Sequence, residues 1–276
     1  MNADVPVANV ELLLRALFEV MPALMHWSIA VVMYMIRFAI ALMILPVTSE
    51  GVLNNMSRMG IAAMLALYVA LGRPVGEFGA LAGGLLVMVM IKEIAIGVAL
   101  GFAMSTVFWV VEYAGALIDN AAGYNSVQVQ NPMSSEQSTP ISDLLSKLAG
   151  AVFFAIGGGV FFAQAMFESF QVWPVVALFP AAEGAYAVFV ERQLGSMFSN
   201  TLKLAAPLLI IVMLIDVGVG LLARGAEKLE PASLAQPIKG IVAVLVVIFM
   251  VSTVFDPLRQ YLVPRGVVQQ MLPAQR

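Results

Sequence analysis

Residues 80–111 form an apolar run of thirty-two residues in which Lys92 and Glu93 are the only charges. As one α-helix the run would be roughly 48 Å long at about 1.5 Å per residue. The hydrocarbon core of a bilayer is only about 30 Å thick. Two arrangements satisfy that mismatch: one long helix that leaves the bilayer, or two elements bent near Gly83-Gly84 or Gly97. Gly97 and Gly101 carry the small-xxx-small spacing that lets helix backbones approach closely.

The rest of the chain has the same character. Leu24 to Leu45 is an apolar run of spanning length interrupted by His26 and Arg37, and it ends in Pro46, Thr48, Ser49, Glu50 and Gly51. Arg37 facing lipid would cost a few kcal/mol, so it is expected to face protein or water. Ile61 to Leu71 is too short to span unless its helix starts near Asn54 and tolerates Ser57 and Arg58; Gly72, Arg73, Pro74 and Gly76 break the chain after it. Leu148 to Phe170 is apolar around Gly157, Gly158 and Gly159, where three glycines in succession predict a bend or tight contact. Trp173-Pro174 and Pro180 interrupt again, and Tyr186 to Leu204 reads as a helix. Ala205 to Ala223 and Gly240 to Phe255 are apolar runs joined by the polar turn 224–239.

Composition decides what these helices face. Of 276 residues 61% are hydrophobic and 11% charged, with a mean hydropathy of +0.95, whereas a soluble domain carries about 25% charged residues. The missing polar coat must come from lipid, from partner subunits, or from both. The expected fold is all-α, a polytopic membrane protein of kinked helical hairpins in a single domain over 1–276. Within it, 24–223 form a helical core, 205–256 a C-terminal hairpin and 257–276 a polar tail. No tandem repeat is visible.

At the amino end Met1, Asn2, Ala3 and Asp4 lack the early basic residue of a secretory signal. Glu11, Arg15 and Glu19 recur at helical spacing opposite Leu13, Leu17 and Met21, which predicts a retained amphipathic helix over 8–22 lying at the bilayer interface. Orientation is contradictory. Arg224, Lys228 and Lys239 precede the last apolar run and Arg259, Arg265 and Arg276 follow it, so the positive-inside bias pulls both ends of one helix to the same side. Simple lipid-spanning topology does not resolve that conflict.

Several chemistries drop out. The net charge of -3 is scattered, which gives nucleic acid no basic tract to bind, and cysteine is absent. His26, the sole histidine, beside Trp27 reads as an interfacial residue; no metal site, cofactor site or catalytic relay is expected. The eighteen methionines are read as packing into core or lipid.

Four stretches in order give the chain its resemblance to the FliR/SctT family, export-gate subunits of flagellar and virulence type III secretion systems. They are Lys92-Glu93-Ile94-Ala95-Ile96-Gly97 running to Gly101-Phe102; Ala114-Gly115 with Ile118-Asp119 and Gly123; Asn131-Pro132 followed by Pro140; and Asp216 to Arg224 closing with Pro237-Ile238-Lys239. Flagellar members usually have Gly-Gly-His where this chain has Gly157-Gly158-Gly159. Many members carry Pro-Gln-x-Asn where it reads Glu227-Lys228-Leu229-Glu230-Pro231. These departures favour the injectisome branch.

The resemblance implies a subunit of a helical hetero-oligomer with SctR-like and SctS-like proteins, accompanied by SctU-like and SctV-like components, in the bacterial inner membrane. The subunits would wind around a pore that passes unfolded proteins, much of the assembly being lifted out of the bilayer plane. The polar stretch Asp119 to Lys147 then holds the element of most interest. Loop 123–139, with Gly123, Asn125, Gln128, Asn131, Pro132 and Gln137, is expected to act as a mobile plug, against the plainer reading of an external loop. Lys92 and Glu93, about 100° apart on a helix, are not expected to pair face to face, and one is expected to bridge to another subunit. Asp216 reads as an interface group satisfied by a hydroxyl, an amide or Arg224, or as a proton relay. Gly157 to Gly159 are a hinge or packing site, like Gly97 and Gly101. The competing reading is a secondary transporter or ion channel using Arg37, Lys92, Glu93 and Asp216; a passive scaffold is the third.

Overall fold

The computed structural model describes residues 7–73, 83–124, 129–130, 137–178, 185–225, 235, 237–245 and 247–248. Helix α1 runs from Val7 to Ile44, with Pro22 inside it. The divide expected between an interfacial helix over 8–22 and a separate span is therefore not there. Pro22 removes one backbone donor, but the helix continues through it on an exposed face. At roughly 57 Å by helical rise, α1 is far longer than a bilayer core.

Local chemistry stops and restarts the chain where expected. Pro46 forces the residue before it out of the helical region, and Leu45 is extended at φ -71° and ψ 119°. A buried 3₁₀ turn, Pro46–Thr48, follows, pinned by the Thr48 hydroxyl donating to the Leu42 carbonyl at 2.6 Å. Helix α2, Asn55–Leu71, starts where Asn54 accepts a hydrogen bond from the Ser57 amide at 2.7 Å, an ordinary N-cap. Its Ala62, Ala66 and Ala70 recur every four residues and are buried, so α2 can lie close against α1.

Helix α3, Gly84–Ala122, is the central rod and packs against α1, α4 and α6. Of the sites expected to break the run 80–111, Gly83-Gly84 is where α3 begins, and the helix runs unbroken through Gly97; residues 80–82 lie outside the described residues. Gly83 at φ +57° precedes its first turn, and Gly123 at φ +84° closes its last in the left-handed conformation. Gly97 and Gly101 face α1: a Cβ on Gly97 would sit 2.9 Å from the Arg37 carbonyl oxygen, and one on Gly101 3.0 Å from the Ala41 Cα.

Beyond α3 the chain makes a two-residue antiparallel pairing, β1 (Val129–Gln130) with β2 (Gln137–Ser138). Helix α4 then spans Pro140–Ala155 and α5 spans Gly158–Val172, bent from each other by 72°. Gly157, at φ +81°, makes the bend, and Gly158 lies against the Phe153 ring, where a Cβ would collide. The polar stretch 119–147 is therefore helical at both ends, since α3 reaches Ala122 and α4 starts at Pro140.

Helix α6, Ala185–Gly225, takes in both segments separately read as 186–204 and 205–223, with Pro207 inside. The Gln193 amide holds it to α3 by donating to the Ala103 carbonyl at 3.2 Å. Residues 237–245 are helical again; the tail 257–276 and the divergent turn 227–231 lie outside the described residues.

The core centres on aromatic contacts between α1, α3, α4 and α5: Tyr34 and Phe38 on Phe170 at 5.3 and 5.5 Å, and Phe108 on Phe153 at 5.3 Å. Helices α1, α3 and α6 are long and apolar enough to cross a membrane, and the bent pair α4–α5 makes a fourth candidate. The protein is an all-α polytopic membrane protein. Its helices are not equally covered, since 44% of the apolar window is buried within the chain in α1 and α3 but only 17% in α6. Ile210, Met213, Leu214, Val217, Leu221 and Leu222 stand exposed on α6, and this surface must find lipid or another protein.

Candidate functional site

Three charged residues of the apolar runs meet inside the chain. Arg37 on α1 and Glu93 on α3 are both fully buried. The guanidinium grips the carboxylate through two bonds, Nε to Oε2 at 2.7 Å and Nη2 to Oε1 at 3.0 Å. The Lys92 ammonium lies 2.8 Å from Oε1 of the same carboxylate. Lys92 and Glu93 thus do pair, contrary to expectation. Their Cβ directions diverge, but the four-carbon lysine stem is long enough to bring its ammonium back to the neighbouring acid. What reads in sequence as a bridge to another subunit is satisfied within this one.

The two cations also organise the backbone after α5. Lys92 Nζ donates to the carbonyls of Pro174, Val175 and Ala177 at 3.0, 2.6 and 3.0 Å. Arg37 donates to the Ser169 hydroxyl at 2.9 Å and the Trp173 carbonyl at 3.0 Å, and stacks on Phe170 at 4.0 Å. Carbonyls at the end of a helix lack intrahelical donors and carry the negative end of its dipole. Non-helical backbone at membrane depth must be satisfied by protein or by water in a cavity, and here Arg37 and Lys92 satisfy it. The cluster thereby joins α1, α3 and the end of α5.

The second constellation lies at the base of loop 123–139. Asp119 is fully buried in the last turn of α3. Its Oδ2 accepts from the Ile141 and Ser142 amides at 2.8 and 3.0 Å, the first free donors of α4. Its main-chain carbonyl accepts from the Tyr124 amide at 2.8 Å. The Ser142 hydroxyl donates to the Glu112 carbonyl at 2.9 Å, and a Cβ on Gly115 would lie 2.5 Å from the Ser142 Cα. Of the residues expected to form the plug, Gly123 caps α3 and Gln137 lies in β2; Asn125, Gln128, Asn131 and Pro132 lie outside the described residues.

The third group joins α6 to the following helix. Asp216 forms an ion pair with Lys239, not with Arg224, which is exposed two helical turns further on. The Asp216 side chain is half exposed and Lys239 largely covered. Among the described residues no three His, Cys, Asp or Glu side chains gather as a metal-binding group.

These three groups were partly legible. Two opposite charges in separate apolar runs, Arg37 and Glu93, are the signal that could have identified the long-range pair. No sequence signal marks Asp119 as the cap of a helix beginning twenty-one residues later.

The sequence matches the family described as "Bacterial export proteins, family 1" over residues 28–263, a range that contains all three groups. This chain belongs to that family. It is 34% identical to Yop proteins translocation protein T of Yersinia pestis over 77% of this chain and 82% of that protein. Identity to the Surface presentation of antigens protein SpaR of Salmonella typhimurium is 26%, over 79% and 81% of the two chains. Identity to the Flagellar biosynthetic protein FliR of Pectobacterium carotovorum is 28%, over 70% and 73%. Of these three bacterial export proteins, the Yersinia translocation protein is the most similar to this chain.

Proposed function

We propose that this chain is one subunit of the export gate of a type III protein secretion system in the bacterial inner membrane. It forms part of the wall of a pore through which unfolded proteins pass. The similarity to the Yersinia translocation protein over most of both chains carries this reading and places it on the injectisome side. Its role is that of conduit and gate rather than catalyst. Its partners are SctR-like and SctS-like subunits, with SctU-like and SctV-like components nearby and secreted unfolded proteins as cargo.

The uneven burial supports partnership. The apolar face of α6 is bare among the described residues, and sister subunits around a pore would cover it together with lipid. The transporter reading is weaker than the sequence suggested. Arg37, Lys92 and Glu93 are engaged with one another and with backbone carbonyls, which leaves little of their charge to bind a solute. Loop 123–139 is the gating element on this reading, and the bend at Gly157 sets how α4 and α5 line the assembly.

Co-purification from mild detergent followed by native mass spectrometry tests the proposal. The expected result is a complex with at least two other membrane proteins. Recovery of this chain alone, stable and monomeric from its native membrane, would overturn it. Deleting 126–136 should make the gate leak ions, and a tight membrane after that deletion would remove the plug.

A further inference from the structure

Two arginines are buried among the described residues, and their surroundings differ. Arg37 has Glu93, a hydroxyl, a carbonyl and an aromatic ring around it. Arg58, only 3% exposed, has a single bond, Nη2 donating to the Leu53 carbonyl at 3.4 Å. That is longer than the usual range of about 2.7–3.2 Å. Its Nε is buried without an acceptor, and among the described residues no carboxylate pairs with it. Burying a charge without a partner is costly, so this guanidinium calls for an anion.

The placement of Arg58 decides where that anion sits. It lies in the first turn of α2, on the face that buries Ala62, Ala66 and Ala70. Side chains on a helix lean toward its N-terminus. The bond to Leu53, the residue before the Asn54 N-cap, shows the guanidinium reaching back to the start of the helix. The backbone offers more donors there. The Asn54 side chain takes the Ser57 amide and the Asn54 carbonyl takes the Arg58 amide. The Asn55 and Met56 amides, the first two of α2, have no intrahelical acceptor. A helix N-terminus favours an anion through such amides and through its dipole. Glu50, in the preceding turn, is exposed and makes no ion pair with Arg58.

We infer that Arg58 and the first turn of α2 form a phosphate site that takes the phosphodiester of a membrane phospholipid. Phosphate oxygens accept charge-assisted bonds from several donors at once, so one phosphodiester matches the guanidinium and the two amides together. The order of residues on α2 favours a lipid over a free anion. Its start is polar, with Asn54, Asn55 and Ser57 exposed. Met64, Leu67, Tyr68 and Leu71 then stand exposed along the same helix. A head group at the first turn with acyl chains beyond it follows that sequence of surfaces. The inference is independent of the export reading and needs only that the chain lies in a membrane.

The test uses the full chain, purified in mild detergent with whatever subunits accompany it and then depleted of lipid. Phosphatidylglycerol is titrated in, and the phospholipid retained per copy of this chain is counted by native mass spectrometry. Diacylglycerol with the same tails and inorganic phosphate are run beside it. Arg58→Gln should weaken retention of one phospholipid about tenfold or more, the effect of losing a charged hydrogen bond. Arg58→Lys, which keeps the charge, should fall between it and wild type. Asn55→Pro removes one amide donor at a position where helices accept proline. Asn54, at φ -66° and ψ 158°, already has the backbone that a residue before proline adopts. This variant should therefore fold and still bind phospholipid less tightly than wild type.

Equal retention in wild type and Arg58→Gln overturns the site, as does wild-type affinity in Asn55→Pro; the second decides alone if Arg58→Gln does not fold. Diacylglycerol held as tightly as phosphatidylglycerol overturns recognition of the phosphate. Inorganic phosphate retained in place of the lipid overturns the lipid and leaves a free-anion site. Loss of an accompanying membrane protein from Arg58→Gln, with the phospholipid count unchanged, overturns the proposal in favour of a partner's carboxylate.

Discussion

Replacing Glu93 with alanine should be the most damaging single change in the apolar core. The carboxylate has two bonds from Arg37, at 2.7 and 3.0 Å, and Lys92 at 2.8 Å, and both Arg37 and Glu93 are fully buried. Its loss leaves two cations facing each other with only carbonyls and one hydroxyl around them. Removing one partner of a buried ion pair costs about 3–5 kcal/mol. That is a large share of a stability of about 5–15 kcal/mol. It corresponds to roughly two to nearly four orders of magnitude in the folding equilibrium.

The charge count also predicts an asymmetry. Arg37→Met leaves Glu93 still paired with Lys92, so it should cost less in charge terms than Glu93→Ala, although it loses the bonds to Ser169 and Trp173. The double change Arg37→Met with Glu93→Gln should be better tolerated than Glu93→Gln alone, because Lys92 keeps its three carbonyls and no excess charge is stranded. The assay is the thermal midpoint and yield of the purified complex by fluorescence-detected size exclusion. A wild-type midpoint in Glu93→Ala would refute the reasoning, as would a double variant no better than Glu93→Gln.

Other expected outcomes follow from local geometry. Gly158→Ala should lower complex yield more than Gly157→Ala, since the first meets the Phe153 ring and overpacking costs about 1–3 kcal/mol. Gly159→Ala, with open space around its Cβ position, should leave yield unchanged, and equal losses at all three would refute this order. Gly101→Val should separate α1 from α3 and reduce assembly sharply, with Gly101→Ala milder; co-purification of partners reads the difference. Asp216→Asn breaks a half-exposed pair with Lys239, worth under about 1 kcal/mol. Secretion in that variant should follow the proton-motive force as in wild type, and a changed dependence would restore the relay reading.

Asn54, Pro46, Gly123 and Gly157 act through their own backbone neighbourhoods, and each starts, stops or bends a helix as its residue type dictates. Gly97 and Gly101 declared a close helix contact by their spacing, though only the fold shows that α1 is the partner. The scarcity of charge determined that the helices need lipid or sister proteins, because too few polar side chains exist to coat them. The segments read apart at 8–22 and 24–45, and at 186–204 and 205–223, join into single helices, since Pro22 and Pro207 each remove one donor without ending a helix whose other bonds persist.

Whom Arg37, Glu93 and Asp119 bind was decided only in three dimensions. Glu93 meets a residue fifty-six positions away and Asp119 caps a helix across an intervening loop. A buried charge must find compensation, which is a local demand written in the side chain. Which group supplies it depends on how whole helices pack, and no short stretch of residues encodes that.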